Sequence, residues 1–203
     1  MKLFYSSHSP FVRKVRVTAM VLGLDEKIEL IDSPTTPIET NPGVAEANPL
    51  GKIPALITDD GDTLYDSRVI CEYLISLAGN DTLLPADGPA RWTVLRQQAL
   101  ADGLMEAAIL RRYEGFLRPE DKRWADWDAA QKRKVDSVLD AFEAGVDELE
   151  GPPTLGAIAA TCALGYLDLR YAADDWRQGR PKLADWYEVN ASHKAMKATH
   201  LAA

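Results

Sequence analysis

Apolar and polar positions follow two different patterns along this chain. Up to Leu77, short β-prone runs alternate with stretches of helical period. Lys2 to Tyr5 reads as a first strand. Pro10 to Leu22 sets Phe11, Val15, Ala19 and Leu22 at helical spacing, and Gly23 is placed to end that helix. Lys27 to Asp32 predicts a second strand. Ile53 to Thr58 and Thr63 to Tyr65 flank Asp60-Gly61, a strong hairpin signal. Val69, Ile70, Tyr73, Leu74 and Leu77 then trace one helical face, with Asp66 as its cap. The order β-α-β, hairpin, α predicts a mixed four-stranded sheet. The β-α-β unit supplies a parallel pair and the hairpin adds antiparallel strands.

Residues 33 to 52 carry four prolines and suit neither a strand nor a long helix, so this segment is expected to be a loop with at most one short helical turn. Loops of such length in a compact domain are often functional. Ala78 to Pro89, rich in Gly, Pro and Asp, is the linker candidate. Everything beyond it has helical period: Ala90 to Leu117, Trp127 to Leu149, an apolar small-residue helix from Thr154 to about Tyr171, and short helices at 183–190 and 192–200. The domains are therefore expected at 1–78 and 89–203. Trp124 and Trp127 read as packing residues. Arg13, Lys14 and Arg16, like the run Lys132-Arg133-Lys134, read as solvated basic faces.

Composition narrows the function classes. The 203 residues carry 23 Lys+Arg against 31 Asp+Glu, a net charge of -8, and 46% are hydrophobic. A pI near 4.9 lacks the basic footprint that nucleic acid demands, so no nucleic-acid partner is expected. Two cysteines cannot build a secreted disulfide framework, and Cys71 and Cys162 read as reduced core thiols. The opening MKLFYSSHSP has no apolar signal region. The uncharged run Thr154 to Leu167 falls short of the ~20 residues a membrane span needs. A soluble protein of the reducing cytoplasm, with no membrane partner, is expected. His8, His193 and His200 share no ligand spacing with one another or with the cysteines, so no metal is expected.

Three places carry candidate chemistry. In Ser6-Ser7-His8-Ser9-Pro10-Phe11, Pro fits the first helical position and Ser9 the cap, so an ordinary N-cap accounts for the residues. The position matters more, because a strand ends there and a helix begins, directing free N–H groups at an anion. A thiol–disulfide enzyme would need Cys where Ser9 and Val12 stand, so CxxC exchange is excluded. In Asn48-Pro49-Leu50-Gly51-Lys52-Ile53-Pro54, a proline opening a strand is unusual. A cis bond that turns the Ile53 backbone toward a ligand would account for it. Lys52 is the only cation between Lys27 and Arg68, and so the sole candidate for a carboxylate bound at this loop. The third place is Tyr65-Asp66-Ser67-Arg68, where a second helix opens. Two helix N-termini and an exposed backbone edge in one small domain suit a peptide with two carboxylates and a thiol.

The ordered set SPFVRKVRV after a first strand, NPLGKIPAL, and YDSRVICEYL, followed by an all-helical half, resembles the cytosolic glutathione transferases over essentially the whole chain. It is most similar to bacterial members with Ser-Pro at the first helix. The resemblance implies a thioredoxin-like α/β domain followed by an all-α bundle, usually paired as a homodimer. It implies glutathione as co-substrate, conjugated to a small electrophile. Lys52 would meet the glycyl carboxylate, Ile53 would pair with the cysteinyl backbone with Pro54 cis, and Asp66 and Ser67 would hold the γ-glutamyl end. Ser9 would sit beside the sulfur. Asp102, in Leu-Ala-Asp-Gly, matches an Asp-Gly of some classes that reaches the γ-glutamyl amine across the dimer.

The sequence departs from the family pattern in two places, and a third position leaves the catalytic hydroxyl open. Several classes place the catalytic Ser where His8 stands here, and Tyr5 matches classes that use Tyr, so the activating hydroxyl is Ser9 or Tyr5. Thr154 keeps the Thr of the family's capping box without its Asp. The electrophile is expected near Met105, Ile109 and Tyr113. A glutathione-dependent isomerase or dehalogenase, and a non-catalytic glutathione-binding or regulatory protein on the same fold, stay open.

Overall fold

In the computed structural model, which describes residues 1–200, the first 78 residues form one four-stranded sheet in the order β2-β1-β3-β4. Strand β1 (Lys2–Tyr5) pairs in parallel with β2 (Glu29–Asp32) and antiparallel with β3 (Ala55–Ile57), which pairs antiparallel with β4 (Thr63–Leu64). Alternation along the strands sends side chains to opposite faces. Phe4, Ala55, Ile31 and Ile57 pack with Val44 and Ala47 of helix α2 (Pro42–Ala47). Leu3 and Leu56 take the other face and are fully buried. Helices α1 (Pro10–Val21) and α3 (Ser67–Ala78) pack on each other, and Thr18 and Cys71 meet at 3.5 Å. The expected mixed sheet and the helical second half are both present.

Three expectations need correction here. The second strand starts at Glu29, because Asp25–Lys27 closes a 3-10 turn in which Ile28 N–H donates to the Asp25 carbonyl. The proline-rich loop holds more than a single turn: Asn41 Oδ1 accepts from Gly43 and Val44 N–H, Pro42 fills the first helical position, and α2 follows. Arg13 and Lys14 are not solvated: they are 4% and 0% exposed. Their helix is buried on more than one side, so their aliphatic stems pack while the heads find local partners. Lys14 Nζ lies 5.8 Å from the Phe11 ring, and Arg13 Nη2 donates to the Met196 carbonyl at 3.1 Å.

The chain divides into two units, Met1–Asp87 joined by the chain from Lys194, and Gly88–His193. The last helix, α8 (Lys194–Ala198), thus groups with the sheet and not with the helical part expected to run to 203. The Arg13–Met196 bond fastens it there.

The helical unit is built on α4 (Gly88–Phe116) and α6 (Leu155–Arg170), with α5 (Ala125–Ala144) and α7 (Pro181–Ala191) around them. Thr154 caps α6 from one side only, accepting from Ala157 N–H at 3.2 Å. Trp124 and Trp127 are exposed, contrary to their expected packing role: they stand at the start of α5 on the outer surface of this unit. Asp168 accepts from Trp176 Nε1 at 2.7 Å and from both Arg177 terminal nitrogens, while Arg177 covers the Trp176 ring at 4.3 Å. Burial raises the Asp168 carboxyl, but the Arg177 and Trp176 hydrogen bonds outweigh it and hold the group below the ordinary carboxylate range.

Gly156 sets how closely α4 and α6 approach. A Cβ there would stand 2.7 Å from Gln97 Cβ and 3.1 Å from the Val94 carbonyl oxygen. Gly156→Ala is therefore expected to destabilise the protein by about 1–3 kcal/mol, as overpacking does, read from the midpoint of urea unfolding. Asp168 contributes stability that is complete above the unfolded carboxylate pKa and lost as pH falls through its depressed folded value. Asp168→Asn should flatten the acid limb of the stability–pH curve.

Candidate active site

Strand register alone gathers most of the candidate residues at one edge of the sheet. Phe4 stands opposite Ala55 and Leu56 opposite Leu64, so the end of β1, the start of β3 and the end of β4 lie side by side. From these three ends run Ser6 to Ser9, Ile53-Pro54 and Tyr65-Asp66-Ser67. Ser9, Ile53, Pro54, Asp66 and Ser67 therefore share one rim, with Lys52 next to Ile53. Both the Ile53–Pro54 and Tyr65–Asp66 peptide bonds are cis.

Each segment is held by a different local device. Ser9 closes a turn by donating its N–H to the Ser6 carbonyl at 3.2 Å, and its Oγ accepts from Val12 N–H at 3.3 Å. The cap reading of Ser9 is thus correct, and it leaves the hydroxyl proton available to an incoming acceptor. Pro10 has no N–H and Val12 is served by Ser9. Among the described residues Phe11 N–H is then the one first-turn donor without an acceptor. Tyr5 is engaged differently: the Arg16 guanidinium lies over its ring, 5.8 Å from the centroid, beside the second turn of α1.

The loop before β3 is organised by Asn48, a residue whose role sequence reasoning missed. It is 1% exposed; its Nδ2 donates to the Lys52 carbonyl at 2.8 Å, and its Oδ1 accepts from Leu50 N–H at 3.0 Å. The signal was a short polar side chain heading a Pro-Leu-Gly turn. Gly51 sits at φ 63, where a Cβ would also come within 2.9 Å of Thr40 Cγ2. The loop leaves the Lys52 side chain exposed. It also leaves the Ile53 N–H and carbonyl without a backbone partner among the described residues.

At the head of α3, Asp66 Oδ1 accepts from Arg68 N–H at 2.9 Å, and its Oδ2 faces Arg68 Nη2 at 3.1 Å. Burial raises the Asp66 carboxyl; the Arg68 hydrogen bonds, with the charges of Arg68 and Lys14, more than reverse that and hold it below the ordinary value. The group is an anion across the neutral range. Ser67 is buried at the first helical position, and its N–H has no acceptor among the described residues. Asp102 lies on α4 of the other unit, buried. Met105 is fully buried, while Ile109 and Tyr113 are half-buried.

Two family models match the chain: the N-terminal domain of glutathione S-transferase over residues 8–77 and its C-terminal domain over residues 106–188. A GST-like protein of Escherichia coli K12, YibF, is 35% identical over 202 residues, 98% of either chain. The chain belongs to the glutathione S-transferase family. Among solved structures, a glutathione transferase family member from Pseudomonas fluorescens Pf-5 with bound glutathione is 42% identical. It has a TM-score of 0.97 and covers 100% of this chain and 99% of its own. The protein from that strain has also been solved with S-(propanoic acid)-glutathione, at TM-score 0.93 and 42% identity with both chains covered fully. Glutathione transferase membership accounts for the sheet order and for the helical second half. No helix of the described residues is long and apolar enough to cross a membrane, and no group of three metal-ligating side chains occurs among them.

Removing the Arg68 side chain isolates its effect on the rim. Arg68→Ala should move the Asp66 pKa upward, toward the value of an ordinary carboxylate, in a carboxyl-carbon NMR titration. Asp66 should then lose its charge at a higher pH than in the parent protein.

Proposed function

We propose that this protein binds glutathione at the rim of its sheet, stabilises the thiolate, and transfers it to a small electrophile. The observation that carries this reading is the unpaired Ile53 backbone, set between two helix N-termini and next to an exposed lysine. An extended tripeptide can add to that edge as a short strand would, with main-chain bonds for affinity and charged ends for orientation. In this reading Lys52 meets the glycyl carboxylate, Ile53 pairs with the cysteinyl unit beside Pro54, and Ser67 N–H donates to the γ-glutamyl carboxylate. Asp66 keeps acceptor capacity for the γ-glutamyl ammonium, since a carboxylate offers about four lone-pair sites. By the family resemblance Asp102 reaches the same ammonium from a second copy of the chain, and a homodimer is part of the reading. The bound S-(propanoic acid)-glutathione of the Pseudomonas neighbour is a thioether of glutathione, the product class such a transfer yields.

Ser9 is the group proposed beside the sulfur. A thiol of ordinary pKa near 8.5 is mostly protonated at neutral pH. Lowering that by about two units takes about 2.7 kcal/mol of preference for the anion. A hydroxyl bond to the anion supplies roughly 1.5–3 kcal/mol and the helix end roughly 0.3–1 more. No base is needed: the thiol proton goes to solvent, sulfur bonds to the electrophilic carbon, and the leaving group departs with its electron pair. Tyr5 is the less suited hydroxyl, because its ring lies beneath Arg16. The two buried cysteines, neither in a disulfide, suit a reducing compartment, and the cytoplasm is proposed on that ground.

Calorimetric titration with glutathione, followed by an aryl halide assay, tests the whole reading. Saturable binding with turnover is expected, binding without turnover would favour a regulatory protein, and absence of binding at millimolar glutathione would end both. Lys52→Ala is expected to weaken glutathione about ten- to a hundredfold with little change in the chemical step. Ser9→Ala should raise the pKa of the bound thiol by about one unit or more while binding persists, seen in thiolate absorbance against pH. A curve unmoved by Ser9→Ala but shifted by Tyr5→Phe would transfer the role to tyrosine.

A further inference from the structure

Helices α4 and α6 run parallel and in step. At their beginnings Gly156 lies against Val94 and Gln97; at their ends the Tyr171 hydroxyl donates to the Ala108 carbonyl at 2.8 Å, and Arg111 covers the Tyr171 ring at 4.3 Å. The final turns therefore bring Arg112 and Tyr113 of α4 level with Tyr166 and Arg170 of α6. Tyr166 and Arg170, four residues apart, share one helical face.

The charges in this cluster do not balance locally. Arg111 takes both nearby carboxylates, Asp128 at 3.1 Å and Asp174 at 2.8 Å. Asp168, the other carboxylate of α6, is held by Arg177 and Trp176. Arg112 and Arg170 are half-buried, and neither has a carboxylate partner among the described residues. Arg112 lies over the exposed Phe116 ring at 4.1 Å, so an apolar surface adjoins the guanidinium. Tyr166 is nearly buried; desolvation outweighs the neighbouring arginines and pushes its phenol up to about 12, so at neutral pH it is a proton-bearing donor. The helix dipoles favour cations at these ends. Arg170 hydrogen-bonds the Tyr166 side chain, and no carboxylate engages either guanidinium fork among the described residues. Two guanidinium forks, a phenol donor and an aromatic flank are what an aromatic or apolar acid requires.

We propose that the C-terminal turns of α4 and α6 form a receptor for the carboxylate of a small organic acid, with Arg112 and Arg170 as its charge partners, Tyr166 as a hydrogen-bond donor and Phe116 against its apolar body.

Benzoate and its neutral counterpart benzamide, titrated into the whole protein at fixed ionic strength and followed by amide NMR, test the receptor directly. Benzoate should shift amides at 109–116 and 166–171 and bind at least about tenfold tighter than benzamide. Arg112→Gln and Arg170→Gln should each reduce that preference, and the double variant should abolish it. Equal affinities of the two probes, shifts confined to other elements, or a preference surviving in the double variant would overturn the proposal. The wild-type comparison of two probes needs no variant to fold.

Discussion

The antiparallel pairing of β3 onto β1 is the constraint on which the rest of the sheet unit depends. With Phe4 fixed opposite Ala55, the chain entering β3 must pass the place where β1 ends. The hairpin then returns β4 to the same edge. A shift of one residue would exchange the faces of Leu3 and Phe4, leaving one without α1 and α3 and the other without α2. The hydrophobic faces thus lock the register, and the register brings Ser9, Ile53 and Asp66 to a common rim. Their convergence needs no attraction among the polar residues themselves.

Local capping chemistry then decides what each segment has left to offer. At α1, proline and the Ser9 side chain consume most of the first-turn donors, so Phe11 N–H and the Ser9 hydroxyl are what an anion can use. At α3, Asp66 serves Arg68 N–H and leaves Ser67 N–H open. Before β3, Asn48 ties the loop to itself through two hydrogen bonds, which spares the Ile53 backbone from both loop and sheet. Residues that carry no chemistry of their own thereby determine which groups meet a ligand.

The elements with strong periodicity were legible in the sequence, because one side chain in three or four had to face a core. The Asp60-Gly61 turn fixed the hairpin, and Gly23, Asp66 and Thr154 marked helix ends. Three features were not legible, for physical reasons. Arg13 and Lys14 look like surface residues by charge, yet α1 is enclosed on more than one side and their long stems can be buried. Trp124 and Trp127 look like core by size, but the start of α5 turns outward. The role of Asn48 depends on loop geometry that sets in only when Gly51 adopts its left-handed conformation. The site fared in the same way: its residue types were readable one by one, whereas the free Ile53 backbone is a property of pairing and has no signature in composition.

The bond from Arg13 to the Met196 carbonyl joins positions 183 residues apart in the chain. During synthesis the sheet and its flanking helices emerge before the helical unit, and the segment that bonds Arg13 emerges only after that unit. Until then a guanidinium next to the Ser9 cap must remain hydrated in a half-finished unit. Completion of the sheet unit thereby waits for the helical unit to be synthesised, and a chain cut short before α8 would carry its defect at the helix that begins with Ser9-Pro10, far from the break in sequence.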